Sequence, residues 1–442
     1  MTIENESVTV IGQAEVQSVH PLRFALYFIT GSRLALIILL VILSGTAESY
    51  KPSPARDVGL EYKFSITKWE ISNLPKKWLN LVYWSLPGRS LDEGQRKEII
   101  DEYIQATRLA RRQELSLERL EVSSGAVAAG SAGPDRVKAA MAYLAELTKS
   151  RDKLKPLAEE IIETEIDSVL KQEGFGSRIG ILLPPVDLKF EGPPTVLTIS
   201  SRDHIEVKEQ IMLMPDVPVL ERDRLERELM DRYDYSAFVD DLSGLSTYPT
   251  LVSDQAPMRS ILRTAAHEWI HAYLFFRPLG WNWRKSPDMF SLNETIAEIA
   301  GNELGDKVFA GMGGDLSLGA SRYSPRHQRD DFFTKEMRET RHQVEILLGD
   351  NKIEEAEYYM KMRWWRLRLG GYRLRKLNQA YFAFRGRYAE GPASVSPIGS
   401  QVRALREVHP DVTSFVKTVE GVSSYQEFLV LLARMDIKPS RD

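Results

Sequence analysis

The chain contains no cysteine. That excludes disulfides and thiolate metal ligands together, so a transition metal would have to be held by His, Asp or Glu. Neither sign of charge dominates: 58 Lys and Arg stand against 62 Asp and Glu, a formal net charge of −4. Such a balance carries no polyelectrolyte signature and points away from nucleic acid as a partner. No fixed-period repeat is visible. The apolar fraction of 43% and charged fraction of 27% are those of a globular chain. At 442 residues there is room for one large core or for two to three domains of ordinary size.

Long apolar runs are also lacking, with one exception. Phe24 to Leu43 is almost wholly apolar over 20 residues, the length that spans a bilayer core. Arg33 at mid-span would cost roughly 2.5 to 3.5 kcal/mol, but the thirteen Leu, Ile, Phe and Val residues contribute about 0.3 to 0.6 each in the other direction, so insertion is favourable on balance. Gly45-Thr46-Ala47 resembles a signal-peptidase site, yet the preceding region is long for a cleaved signal and carries Glu4, Glu6 and Glu15. Residues 24–45 therefore read as an uncleaved membrane anchor ahead of a cleaved signal, behind a disordered stretch at 1–20. Arg23 and Arg33 before the run are matched by Lys51 and Arg56 after it, so charge barely sets orientation. The expectation is a single-pass protein of the cell membrane with its large C-terminal part outside the cytoplasm.

Residues 50–175 read as helical, broken at Leu74-Pro75 and Leu86-Pro87-Gly88, with a flexible linker over 122–135 that is rich in Gly, Ala and Ser. Trp69, Trp78, Tyr83 and Trp84 read as core aromatics of a helical hairpin rather than membrane-interface anchors. Beta character appears at 187–190, 196–200 and 205–214, followed by a charged helix at 221–233. Gly244 to Pro249 suits an exposed edge strand, where proline is tolerated and glycine allows close approach of another backbone. Helices are then expected at 257–276, 291–310, 330–348 and 353–388, with a terminal pair over 400–434. The pattern is an α+β fold, mainly helical, with a core at 180–310 and a C-terminal helical subdomain at 320–442.

Within the 257–276 helix, TAAHEWIHAY carries H-E-x-x-H as His267, Glu268 and His271. Residues four apart stand one turn above each other, so both imidazoles can reach one ion while Glu268 lies beside it. Arg259, Arg263 and Glu268 argue against a lipid-facing span, and so against an intramembrane protease. Seven histidines in the chain make the motif suggestive and insufficient, so a third ligand is needed. Glu294 and Glu298 in SLNETIAEIAGNELG are also four apart, Glu294 lying 23 residues past His271. Two imidazoles from one helix and a carboxylate from another leave a fourth position open for water, the arrangement of a catalytic Zn2+ site. The bland alternatives are a capping box from Ser291 to Glu294, a solvated charge at Glu298, and histidines bonded to carbonyls in a core.

His267-Glu268-x-x-His271 followed by Asn293-Glu294-x-x-x-Glu298 resembles the gluzincin metallopeptidases, the thermolysin-like zincins. A closer similarity is to bacterial predicted aminopeptidases, often membrane-attached, which carry a C-terminal L-N-N-A and a following Tyr; this chain has Leu377-Asn378-Gln379-Ala380, then Tyr381 and Tyr388. The resemblance covers about Leu242 to Leu432 and departs from the pattern at Leu292 and Gln379. It implies a zincin-like core binding one Zn2+, with Glu294 as third ligand and Glu298 bonded to a ligand imidazole. Peptide bonds would be hydrolysed by a metal-activated water with Glu268 as general base. The oxyanion donor is expected among Tyr381, Tyr388 and His342, with Tyr388 favoured, and Asn378 is expected to face the substrate. The strand containing Gly244 and Tyr248 could pair with an extended peptide or protein substrate. The competing expectation is a non-catalytic, membrane-anchored cell-envelope protein that keeps a structural zinc site.

Arg363 to Arg387 is the strongest basic cluster. It reads first as a solvated helix face beside buried aromatics, and second as a surface for anionic lipid or carboxylates.

Overall fold

Most helices fall where apolar periodicity places them. The computed structural model of the protein describes residues 52–73, 91–126, 133–177, 180–317 and 325–437. The expected disordered terminus, the membrane anchor, and Trp78, Tyr83 and Trp84 lie outside these residues. Among the described residues no helix is long and apolar enough to cross a membrane.

A short α1 at Pro54–Val58 and a helical stretch at 66–73 precede two long helices, α2 at Glu93–Ala126 and α3 at Gly133–Gln172. Both flanks of the expected linker are therefore helical. Six short strands follow: β1 Leu188–Phe190, β2 Thr195–Ser200, β3 Glu209–Leu213, β4 Ser236–Asp241, β5 Gly244–Leu245 and β6 Thr250–Val252. They form two sheets. In one, β2 lies between β3 and β4, both antiparallel to it; in the other, β6 lies between a parallel β1 and an antiparallel β5. The strand expected from residue 205 begins only at Glu209. The turn before it is occupied by His204, whose ring contacts Asp203 at 2.7 Å and Glu206 at 2.8 Å.

Between β3 and β4 runs α4, Val219–Tyr233, and after β6 come α5, Met258–Leu274, and α6, Pro287–Gly311. A helical hairpin follows, α7 at Pro325–Gly349 and α8 at Ile353–Leu369. The helix expected over 353–388 stops at Gly370, and Gly371 adopts φ +83°, a left-handed conformation open to glycine. The chain restarts as α9, Gln379–Arg385. The expected terminal pair is three helices: α10 Ile398–Glu407, α11 Val412–Val419 and α12 Tyr425–Arg434.

The fold is thus mainly helical with two small sheets, compatible with the α+β class. Its largest core joins α2, α3, β1, α5 and α6 to α10, α11 and α12. The terminal helices therefore share a core with the 180–310 region instead of forming a separate subdomain with α7 and α8. A second core lies among α7, α8 and α9, and a third under the antiparallel sheet, α1 and α4.

Candidate metal centre

Helix α5 buries two adjacent rows, Ile261, Ala265, Trp269 and Tyr273, and Leu262, Ala266, Ile270 and Leu274. A helix with this pattern must place the neighbouring row, His267 and His271, at the edge of the core. Helix α6 packs along that edge unusually closely. Gly301 and Gly305 face the α5 backbone: a Cβ on Gly301 would lie 2.6 Å from the His267 Cα, and one on Gly305 2.5 Å from the Arg263 Cα. The far end of the contact is pinned by Asp306, which takes paired hydrogen bonds from Arg259 at 2.8 and 2.7 Å and from Arg263 at 2.7 and 2.7 Å.

This packing brings Glu294 onto the histidines. The α6 N-cap is Ser286, whose side chain accepts from the Met289 N–H at 3.1 Å. Ser291 and Glu294 consequently lie inside the helix and form no capping box, so the carboxylate is not engaged at a helix terminus. Its Oε2 stands 3.7 Å from His267 Nε2 and 3.5 Å from His271 Nε2, and the two Nε2 atoms are 3.0 Å apart. Ligands held about 2.0 to 2.1 Å from one tetrahedral ion are about 3.3 Å from each other, so the donor set fits such an ion. The side chains of His267, His271 and Glu294 retain 22%, 16% and 12% exposure, which leaves a path in from solvent. Glu268 is buried beside the triangle. Ligand atoms of His267, Glu268 and His271 lie within 4.8 Å of one another, a looser spacing than that of Glu294.

The electrostatics divide the two imidazoles. Burial, and then the neighbouring His271, press His267 down to about 4, so it is neutral and its ring bonds the Ala297 backbone. Burial also opposes charge on His271, but Glu294, Glu268 and the side chain of Asn293 outweigh it and raise His271 to about 9. Glu294 is likewise disfavoured by burial, yet His271, His267 and Arg387 hold it below the usual carboxylate range. Glu268 is pushed up to about 7, chiefly by burial and then by Glu294, while His271 and a hydrogen bond from the Ser246 backbone act the other way. A carboxylate poised near neutrality is suited to accept and return a proton.

The other expected residues divide. Gly244 is at the site: a Cβ there would lie 2.7 Å from Glu268 Oε1, so this glycine lets the β5 backbone press on the carboxylate. The next turn grips the same residue, Ser246 Oγ donating to the Glu268 carbonyl at 3.0 Å. Tyr248 turns away. Its phenol is buried towards Asp187 and Glu163, both of which add to burial in raising its proton affinity. Glu298 bonds neither imidazole, whose partners are Ala297 and Asn293. It is instead half-buried facing Glu390 and Glu294, and burial with those two charges lifts it to about 7. Asn378 caps α9, its Oδ1 accepting from the Tyr381 N–H at 2.9 Å while its Nδ2 donates to the Ala237 carbonyl at 2.9 Å. Both ends of its amide are engaged, so the expectation that it faces substrate is corrected to a structural role. Tyr381 packs edge-on against Phe238 in the second core, and His342 is exposed on α7. Tyr388 is near the centre: burial first, then Glu294 and Glu268, raise its phenol well above the ordinary value, and its hydroxyl bonds no described residue.

Sequence reasoning missed Arg387. Its guanidinium lies 3.8 Å from the centre of the Phe290 ring, and one terminal nitrogen donates to Gln210 Oε1 at 2.7 Å. Its Nε is buried with no hydrogen-bond partner among the described residues. Glu294 acts on it as a favourable charge, although burial lowers its proton affinity overall. Adjacency to Tyr388 was the only signal. Asn293 was also missed as the His271 partner, although it precedes Glu294 in the motif. Compared with protein families, with curated proteins and with solved structures, the chain gives no significant match.

Proposed function

We propose that this chain is a zinc metallopeptidase of the gluzincin kind, with a zincin-like core in which His267, His271 and Glu294 hold one Zn2+. The observation that carries the reading is the triangle of 3.0, 3.5 and 3.7 Å between their donor atoms, with Glu268 beside it. Zinc bound there would supply Lewis acidity, acidifying water and polarising a scissile carbonyl. Glu268 accepts the proton of the attacking water on a carboxylate oxygen and delivers it to the leaving amine. Its two holds, the β5 backbone at Gly244 and the Ser246 N–H, fix where that oxygen lies. Asn293 and the Ala297 backbone orient the two imidazoles, which sets the nitrogen each presents. Near Glu294, Tyr388 with a neutral phenol and Arg387, whose Nε has no partner among the described residues, are the groups able to donate to the carbonyl oxygen as charge develops on it.

A peptide or protein is the substrate class this chemistry suits. Edge pairing has only the two residues of β5 to offer, because Ser246 is already committed to Glu268. The apolar run Phe24 to Leu43 would attach the enzyme to the cell membrane as a single span, with the catalytic part outside the cytoplasm. Cleavage of a mixed peptide library with blocked and free N-termini separates endopeptidase from aminopeptidase action.

One observation favours a second reading. Glu268 is itself within 4.8 Å of the imidazoles, so a slight movement would close the site with four protein ligands, as in a structural zinc centre. The variant Glu268→Gln distinguishes the two. As a peptidase it retains about one zinc and loses peptide cleavage; as a structural centre it loses zinc affinity, and the parent cleaves nothing. A parent protein that binds no zinc overturns both.

A further inference from the structure

The basic cluster is only in part the solvated face beside buried aromatics that its sequence first suggests: Tyr381, Phe382 and Phe384 are buried, but Trp365 is not. Helix α8 packs into the second core through Ala356, Met360, Arg363 and Leu367. Its opposite face carries Tyr358, Met362, Trp365 and Leu369, which are 65%, 49%, 48% and 84% exposed. Their spacing places them in one line along the helix. Phe332, at the adjoining end of α7, is 43% exposed and stacks on Tyr372 at 6.1 Å between ring centres. Single exposed apolar residues are ordinary, but a continuous line of large ones marks a contact surface.

Charge identifies what would cover it. From Tyr358 to Ala389 the sequence has no Asp or Glu. Arg363 is buried on Glu336, Arg375 and Lys376 are paired with Glu226, and Arg385 with Asp240. Apart from Arg387, held on Phe290 and Gln210, that leaves Lys361, Arg368 and Arg373, all exposed and without a carboxylate partner among the described residues, and Arg366, whose contact with Glu336 is a loose 3.5 Å. Arg368 lies over the Trp364 ring at 5.1 Å. The acidic residues of α8, Glu354, Glu355 and Glu357, are all at its opposite end, so the helix is polarised along its length. Lys335 and Arg338 on α7 add to the basic end, against Asp331 and Glu339.

We propose that the basic end of the α7–α8 hairpin docks on an anionic phospholipid bilayer. Trp365, Leu369, Met362 and Phe332 would enter the boundary between headgroups and acyl chains, while Lys361, Arg366, Arg368 and Arg373 reach lipid phosphates around them. Tryptophan with leucine, ringed by long cationic side chains that can extend to the headgroups, is the composition of an interfacial segment. A nucleic acid would use the cations but gain nothing from Leu369 and Met362. The surface is separate from the metal centre and does not depend on its chemistry.

The absence of cysteine makes the test direct, because a single introduced thiol is the only one in the chain. Leu369→Cys in the full chain, labelled with a polarity-sensitive fluorophore, is mixed with neutral phosphatidylcholine vesicles or with vesicles containing about 30 mol % phosphatidylglycerol. The probe reports on position 369 alone, so attachment of the chain elsewhere does not register. The expected result is a blue shift and several-fold protection from an aqueous quencher on anionic vesicles, reduced in high salt. The triple variant Arg366→Gln, Arg368→Gln, Arg373→Gln in the same labelled chain should need on the order of tenfold or more anionic lipid for the same response. A label at Leu220, 80% exposed on α4, should not respond. Equal signals on neutral and anionic vesicles, an equal response at position 220, or a response only to an acidic protein would overturn the proposal.

Discussion

Gly301 of α6 lies against the backbone of His267 in α5, so closely that an added Cβ would stand 2.6 Å from both its nitrogen and its Cα. Backbone atoms cannot swing aside as a side chain can, so a larger residue must push the helices apart. Glu294 is two turns along α6 from this point, and its distance to the imidazoles would grow with the shift. Gly301→Ala is therefore expected to weaken zinc binding at least tenfold and to cost about 1 to 3 kcal/mol of stability. Gly311→Ala is the control, since nothing lies within 4 Å of its added Cβ, and it should be neutral or stabilising by up to about 1 kcal/mol. Zinc titration and urea midpoints on both variants check this. Parent-like zinc binding by Gly301→Ala would show that the contact does not set the site.

The hydrogen-bond partners of the imidazoles lead to a second test. Asn293 bonds His271, whereas Glu298 faces Glu390 and Glu294. Removing a partner that orients a metal-bound histidine typically lowers metal affinity 10 to 100-fold. Asn293→Ala should show about that loss in competition with a chelator, and Glu298→Gln should stay within about threefold of the parent. The reverse order would restore the role that the resemblance assigned to Glu298.

What the sequence made legible was local. Four-residue spacing on a helix becomes geometry without further information, so His267, His271 and the neighbouring Glu268 could be read directly, and Glu294 was accessible by the same logic on a second helix. What could not be read depended on which segments meet. Ala297 and Asn293 hold the imidazoles only because α6 packs so tightly on α5, and the glycines permitting that approach look like ordinary helix interruptions in a linear sequence. Tyr248 and Gly244 lie on one short segment, yet cross-chain packing sends one towards Asp187 and the other onto Glu268. Asn378 looked like a site residue because polar residues in a motif invite that reading, but its amide satisfies a helix end and a strand. The sequence reads the aromatics of the basic cluster together as buried beside a solvated face, yet Trp365 is half exposed. Its exposure follows from α8 having only one packed face, which the all-round mixture of apolar and basic residues in its sequence concealed.

Tyr388 and Arg387 both lie within electrostatic reach of Glu294. Among the described residues the Tyr388 hydroxyl bonds none, and Arg387 is held over Phe290 with a buried Nε that has no partner there. If these are the donors to the developing oxyanion, Tyr388→Phe and Arg387→Met each lower kcat by about 100 to 1,000-fold while zinc binding stays near the parent value. Arg387→Lys should not rescue, because an ammonium cannot reproduce the planar stacking on Phe290. Single-turnover rates alongside zinc titration make the comparison, and unchanged kcat in both variants would place the donors elsewhere.

Arg259 and Arg263 share one carboxylate, that of Asp306. Burial works against its charge, but the hydrogen bonds and charges of the two arginines prevail and hold it well below the usual carboxylate range. Asp306→Asn keeps the shape and removes the charge, and should cost about 1 to 3 kcal/mol at pH 7, the value of hydrogen bonds to a charged group. The pH dependence has a definite sign. A carboxylate depressed in the folded state stabilises fully above its unfolded value of about 3.9, and that stabilisation is lost as the pH falls towards the folded value. The difference in urea midpoint between parent and variant should therefore be constant from pH 7 to about pH 5 and narrow between about pH 4 and pH 2. Because the same pair of arginines fixes α6 against the start of α5, the variant should also bind zinc more weakly at neutral pH. A gap that persists unchanged into acid would mean that Asp306 contributes shape alone.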